Sequence, residues 1–400
     1  MTPDPATLTR TPDRRASTPL RALEPAPPAP IDGRFSWEEF RRRAELYPSY
    51  LDLKKDELVV SRMTREGFRS VNFLGAEVER LAVQRLAVPM GAILRASRAD
   101  TTYRPAFQAV FHTAFCGSTL LSRTLDALGA FVLKEPQILG DLCGIRRAIV
   151  PSGQGRLDRL TAPIKRAISR AIGSGAMRSL KWNRAVQAAV IELLARPFHG
   201  HEPVVVKMND DCNELMSELT PRAGIFLYGS VVEFLTAVLK SPERRQWMNR
   251  RFGCYEPVAR RLGLLPASEP SPSADHRRAA TLWATYVRLY EAAASRGRLR
   301  ALSCAALMAN PAAAVAAVCE YFEMPASEGA IHSVVNGDLF RFHAKDRSKR
   351  FDRQDRRLLA AQLQERFKTE IADAVAWLTP FQDPARPLPN PLVLGGGART

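Results

Sequence analysis

Ligand sets for a metal and cysteine pairs for a disulfide framework are both missing from this chain. The six cysteines, Cys116, Cys143, Cys212, Cys254, Cys304 and Cys319, form no CxxC pair, and the six histidines show no metal-ligand spacing. Most of the cysteines sit in apolar contexts and read as buried free thiols, which points to a reducing cytoplasm. No run approaches 18 uninterrupted apolar residues, so no membrane span is expected. The start, MTPDPATLTRTPDRR, lacks an apolar core and reads as the leader of a soluble protein. No internal repeat is visible.

Acidic residues are also in the minority. The 400 residues carry a net charge of +17, which favours anionic partners. Residues 146–184 hold ten Lys and Arg against the single acid Asp158. Aromatics are nearly absent there, Trp182 excepted, so a stacking platform for nucleic acid is not supported and no specific nucleic-acid partner is expected. The pattern RLDRLTAPIKRAISRAI suits either a solvated helix face or a steering surface for a polyanionic nucleotide or acidic acceptor.

What is present concentrates in FQAVFHTAFCGSTLLSRTLDALG, residues 107–129. An apolar run meets the small-residue bend Cys116-Gly117-Ser118-Thr119, and an amphipathic helix pattern follows through Leu120, Leu121, Leu125 and Leu128. Strand, tight glycine turn and helix start form a phosphate-binding arrangement. Gly117 lets the backbone approach an anion, and Ser118 and Thr119 offer hydroxyls and amides at the positive end of a helix. The ATP-type loop GxxxxGK[ST] would need glycine at His112 and lysine at Ser118, so ordinary ATP chemistry is disfavoured.

Further along, FVL, VVVKM and IFLYG each precede a helical pattern, which predicts a parallel α/β sheet. The expected organisation is a disordered proline-rich leader over 1–34, an N-terminal extension over 35–104 packed on the core and given no chemistry, the α/β domain over 105–379, and a flexible Pro/Gly tail over 380–400. Lys134-Glu135-Pro136 follows FVL at a strand end, where open α/β sheets place their chemistry, and Pro136 favours an extended Glu135. In an extended segment the side chains of Lys134 and Glu135 point to opposite faces. Lys207 closes VVVKM as an edge-facing residue or an anion contact, and Asn209, Asp210 and Asp211 suit helix capping. Magnesium on Asp210 would revive an ATP reading.

AFCGSTLLSR resembles the 5′-phosphosulfate loop of sulfotransferases that use 3′-phosphoadenylyl sulfate (PAPS). LSCAALMANPAAAVAAVCEYFEMP, residues 302–325, is similar to their late strand, Asn-Pro helix start and Phe-Leu-Gly-like end. The resemblance spans roughly residues 105–350 and implies a divergent, bacterial-type member. The implied fold is a P-loop type parallel sheet flanked by helices, with an N-terminal extension and helical insertions. The implied activity is sulfuryl transfer from PAPS to a hydroxyl or amine on a small molecule or glycan, with no metal required.

For the donor, the resemblance implies contacts from Cys116, Gly117, Ser118, Thr119, Leu120, Arg123, Lys207, Thr236 and Lys345. Lys345 lies in the basic segment FRFHAKDRSKRFD, similar to a loop closing over the 3′-phosphate. Two departures stand out: Phe115 occupies the usual position of a Lys or Arg, and Tyr228 the position of a 3′-phosphate arginine, with Thr236 keeping a hydroxyl. The expected general base is Glu135, with His112 the next candidate, and the missing loop cation must come from Lys134, Arg123 or the 341–350 segment. A divergent ATP- or GTP-dependent phosphotransferase, or a non-catalytic protein binding anionic partners, remains an alternative.

Overall fold

A computed structural model describes residues 29–30, 37–99, 106–149, 180–266, 268–343, 346–350 and 353–394. Lys345, most of the leader, most of the basic run after Ile149 and the last six residues of the tail lie outside the described residues.

The valine- and phenylalanine-rich runs form the sheet. β5 (Gln108–His112), β6 (Phe131–Lys134) and β7 (Val204–Lys207) are buried at every position, and β8 (Ala223–Tyr228) at all but its last. β9 (Leu299–Ser303) completes a five-stranded sheet of order β6-β7-β5-β8-β9 in which every pairing is parallel. Continuous apolar strands are expected of a parallel sheet covered on both faces. Alternate residues serve the two faces: Ala109, Phe111, Leu133, Val206 and Phe226 enter one core cluster, and Val110, Val132, Val205, Ile225 and Leu227 the other.

β5 lies at the centre. The chain leaves it through α5 (Ser118–Ala127), passes over β7 to the edge strand β6, and later returns to β8 on the other side. The strand order therefore reverses at β5, and the carboxyl ends of β5 to β9 share one edge of the sheet. Crevices of open α/β folds form at such a switch point.

The N-terminal extension is a four-stranded sheet of order β1-β4-β3-β2, made by β1 (Ala29–Pro30), β2 (Leu46–Asp52), β3 (Glu57–Arg62) and β4 (Gln84–Pro89). Four helices accompany it, α1 (Trp37–Arg42), α2 (Arg65–Ser70), α3 (Ala76–Leu81) and α4 (Met90–Ala99). It shares a core with the main sheet through Tyr47, Phe68 and Phe131. Arg196 is 1% exposed and donates to the carbonyls of Arg43 (2.9 Å) and Leu46 (2.6 Å), so burying this guanidinium depends on the extension. After β6 comes α6 (Gln137–Ile149), and α7 (Leu180–Leu194) precedes β7. A 3₁₀ helix, Asp210–Ser217, follows β7. After β8, α8 (Val231–Leu239) starts on a Ser230–Glu233 capping box, and α9 (Pro242–Arg261) starts on Ser241 with proline at its first position. α10 (Asp275–Ala294) leads to β9. No helix among the described residues is long and apolar enough to cross a membrane.

Candidate active site

The loop between β5 and α5 turns through three left-handed residues, Ala114 (φ 63°), Phe115 (φ 53°) and Gly117 (φ 87°). Gly117 is the N-cap of α5 without any side-chain cap, and the first bond of the helix ladder runs from the Leu121 amide to the Gly117 carbonyl at 3.0 Å. The amides of Ser118, Thr119 and Leu120 thus precede the ladder at the positive end of the helix. A Cβ on Gly117 would meet Met308 Cε at 3.2 Å. Six non-glycine residues among those described have positive φ, and Ala114, Phe115 and Glu135 (φ 54°) are three of them. Backbone strain of this kind, roughly 1–3 kcal/mol per residue, gathers where geometry serves function.

Beside the loop runs a chain of polar contacts. Lys207, at the end of β7 and 1% exposed, donates to Thr119 Oγ1 at 3.2 Å and is ion-paired with the Glu135 carboxylate. Its ammonium also stands 5.4 Å from the centre of the Phe73 ring. Glu135 takes its place through the left-handed turn after β6, where its amide donates to the Lys207 carbonyl at 2.8 Å. Burial alone would raise the Glu135 carboxyl, but Lys207 and His112 outweigh it and hold it well below the usual carboxylate range. His112 Nδ1 accepts from the Ala114 amide at 3.0 Å, which leaves the ring proton on Nε2. Nε2 faces Glu135 Oε1 at 3.6 Å, too far for a hydrogen bond. His112 thus presents an N–H rather than a lone pair toward Glu135.

Lys134 is absent from this constellation, contrary to the catalytic role expected for it. Its ammonium donates to the carbonyls of Phe68 (3.1 Å), Arg69 (3.0 Å) and Val71 (3.3 Å), at the carboxyl end of α2. Those carbonyls have no further helical donor, so the lysine caps the helix. Arg123, 9% exposed, donates from Nη2 to Asn72 Oδ1 at 2.6 Å and is tied to the extension. Cys116 turns inward, its thiol donating to the Leu227 carbonyl at 3.1 Å and pushed up to about 11 by burial. Leu120 is buried in the core and brings only its amide to the loop. Thr236 spends its hydroxyl proton on the Val232 carbonyl at 2.7 Å, and Tyr228 stacks on Phe226 at 6.1 Å.

Phe115 packs edge-on against Trp247 at 4.8 Å, beneath the Arg244 guanidinium at 4.7 Å. Asp210 does not cap the 3₁₀ helix with Asn209, whose side chain makes no cap bond. It binds Arg251 Nε at 2.7 Å and accepts from Tyr286 at 3.0 Å, while Asp211 takes Arg251 Nη1 at 2.6 Å. Among the described residues no group of three or more His, Cys, Asp or Glu is arranged to hold a metal ion.

A cavity of about 350 Å³ opens onto Glu135, lined also by Phe73, Gly75, Glu77, Gln137, Asn209 and Arg251. Three of these come from the extension, which was expected to carry no chemistry. Segment 72–75 is fixed there by backbone bonds from Leu74 to the Lys134 carbonyl (2.7 Å) and from Gln137 to the Leu74 carbonyl (2.9 Å). VNFLG has no periodicity to announce such a role. Arg251 was signalled more openly, because two adjacent acids after a buried strand call for a cation.

No family model matches the chain, and no curated protein matches it. Among solved structures, the chain is similar to the sulfotransferase domain from the curacin biosynthetic pathway at 15% identity and a TM-score of 0.35, over 70% of this chain and 99% of that one. It is also similar to the sulfotransferase domain from the Synechococcus PCC 7002 olefin synthase at 14% identity and a TM-score of 0.31, over 67% of this chain and 96% of that one.

Proposed function

We propose that the chain is a sulfotransferase that moves a sulfuryl group from PAPS to a hydroxyl-bearing acceptor. The observation that carries this reading is the contact chain Thr119–Lys207–Glu135 beside the left-handed loop at Gly117. An anion-binding turn, a cation and a carboxylate stand in the order that sulfuryl transfer needs. The amides of Ser118, Thr119 and Leu120 with the Thr119 hydroxyl receive the 5′ end of the donor.

The donor–sulfur bond breaks as the acceptor–sulfur bond forms, and charge gathers on the departing nucleotide's oxygen. Lys207, rather than Lys134, neutralises that charge. An acceptor hydroxyl in the cavity lined by Phe73, Gln137 and Asn209 gives its proton to Glu135. Positioning supplies much of the remaining rate, and the residues that position are buried or backbone-fixed. The 3′ end of the donor fits less fully, because Tyr228 brings no guanidinium and Thr236 points its proton inward.

Calorimetry with 3′-phosphoadenosine 5′-phosphate and with ATP-magnesium tests the reading. The former should bind at least ~10-fold tighter, a difference of about 1.4 kcal/mol. Equal or reversed preference favours a phosphotransferase, for which Ser118 supplies no lysine.

A further inference from the structure

The contact between Lys207 and Glu135 creates a difficulty for a base. A carboxylate clamped by a buried ammonium is stabilised as the anion and accepts a proton poorly. Other titratable and charged groups approach it from each neighbouring element. His112 comes from β5, Asp210 from the 3₁₀ helix, Arg251 from α9 and Glu77 from α3 across the cavity. Arg251 is already committed to Asp210 and Asp211. Among the opposing charges, Lys207 acts on Glu135 most strongly.

Lys207 also faces a second way. Its ammonium lies 3.2 Å from Thr119 Oγ1, at the first turn of α5, where three amides wait ahead of the helix ladder. An anion seated on those amides would lie beside Thr119, the second side-chain partner of the ammonium, and compete with Glu135 for it. Resting on the donor site proposed above, we infer that Lys207 is shared between Glu135 and the donor's anionic end, so that donor binding draws the ammonium away and arms Glu135 as the base. Lys207 is thus a positioning residue as well as a charge neutraliser, and it sets an order of events. Without donor, Glu135 is ionised and inert. With donor in place it loses its cation, gains a nearby anion and becomes able to take the acceptor's proton.

The linkage has a direct signature. When the ammonium moves, the proton affinity of Glu135 rises, so ligand binding draws protons from solution in mildly acidic buffer. The full-length protein is titrated calorimetrically with 3′-phosphoadenosine 5′-phosphate near pH 5.5, in buffers of different ionisation enthalpy. Wild type and Glu135→Gln are compared, which cancels the titration of the ligand's own phosphates. The wild type should take up at least about 0.3 proton per site more than the variant, with affinities within about 3-fold. In a Lys207→Met background the same Glu135→Gln comparison should show a clearly smaller difference, because only the approach of the anion remains. A proton count identical in wild type and Glu135→Gln, with ligand bound in both, overturns the coupling and leaves the donor site standing. Absence of binding in the wild type overturns the donor site and the coupling with it. A pair that is merely structural would lower stability in both variants without moving the proton count, and circular dichroism of each variant separates that case.

Discussion

The loop at Gly117 has two unlike sides. Toward β6 and β7 it meets charge, with Lys207 and Glu135 paired beside Thr119. Toward β8 it meets aromatic rings, with Phe115 against Trp247 and Phe234 and under Arg244. A cation carried on the loop would occupy the position of Phe115, which is 37% exposed. The cation from β7 is 1% exposed and held by two side chains before any ligand arrives. On the proposed function, a strand-borne cation stands in for a loop-borne one, a desolvated group in place of an exposed one, and charges in dry sites act most strongly on a developing negative charge. The vacated loop position is free to contribute packing, at about 0.5–1.5 kcal/mol per aromatic pair.

Four substitutions would break or sharpen this contrast. Glu135→Gln keeps size and hydrogen bonding but cannot take a proton. Sulfuryl transfer should fall by roughly 10²- to 10⁴-fold in steady-state kinetics, with affinity for 3′-phosphoadenosine 5′-phosphate little changed. Gly117→Val forces a β-branched residue into a left-handed turn and brings its Cβ onto Met308. Affinity for the same nucleotide should drop by at least about 100-fold, or about 2.7 kcal/mol, with a native circular dichroism spectrum. Retained affinity would remove the loop from the site altogether.

Lys134→Ala tests the charged side where it is structural. Losing a donor to three carbonyls should cost about 2 kcal/mol in denaturant unfolding, while turnover of the folded protein stays near wild type. A large loss of turnover at unchanged stability would return Lys134 to the mechanism. Phe115→Ala should have the smallest effect, about 1 kcal/mol of stability with nucleotide affinity unchanged. A strong loss of affinity there would mean that the aromatic side also holds ligand.

The sheet was legible because its evidence is local. Runs such as VVVK and FVLK are short, apolar and β-branched or aromatic, and each is followed by a helical period. Gly117 was legible for the same reason, since strand, bend and helix adjoin in sequence. Sidedness was harder. Alternation at Lys134-Glu135 separates the two side chains but does not say which one enters the crevice, and a left-handed turn at Glu135 decides it. The partners of Lys207 come from α5, 88 residues away, and from the β6 turn, 72 residues away, and no periodicity reports such distances. Phe73 and Gly75 escaped notice because a segment between two short helices shows no pattern until its backbone meets the end of β6.

That last meeting brings two parts of the chain together around Glu135. Gly117, Thr119 and Lys207 belong to the five-stranded sheet and the helix that leaves it, whereas Phe73, Gly75 and Glu77, which line the cavity at Glu135, belong to the first hundred residues. Exchanging segment 72–77 for another of equal length, with the Leu74 backbone pairing retained, would redraw what fits against Glu135 and would also take the Phe73 ring from Lys207 and the Asn72 amide from Arg123. Removing the extension outright would do more damage. It would strip Lys134 of the Phe68 and Arg69 carbonyls and Arg196 of the Arg43 and Leu46 carbonyls, and open the core around both cations. On the proposed function, acceptor choice would be a graftable property, carried on a part that cannot be deleted.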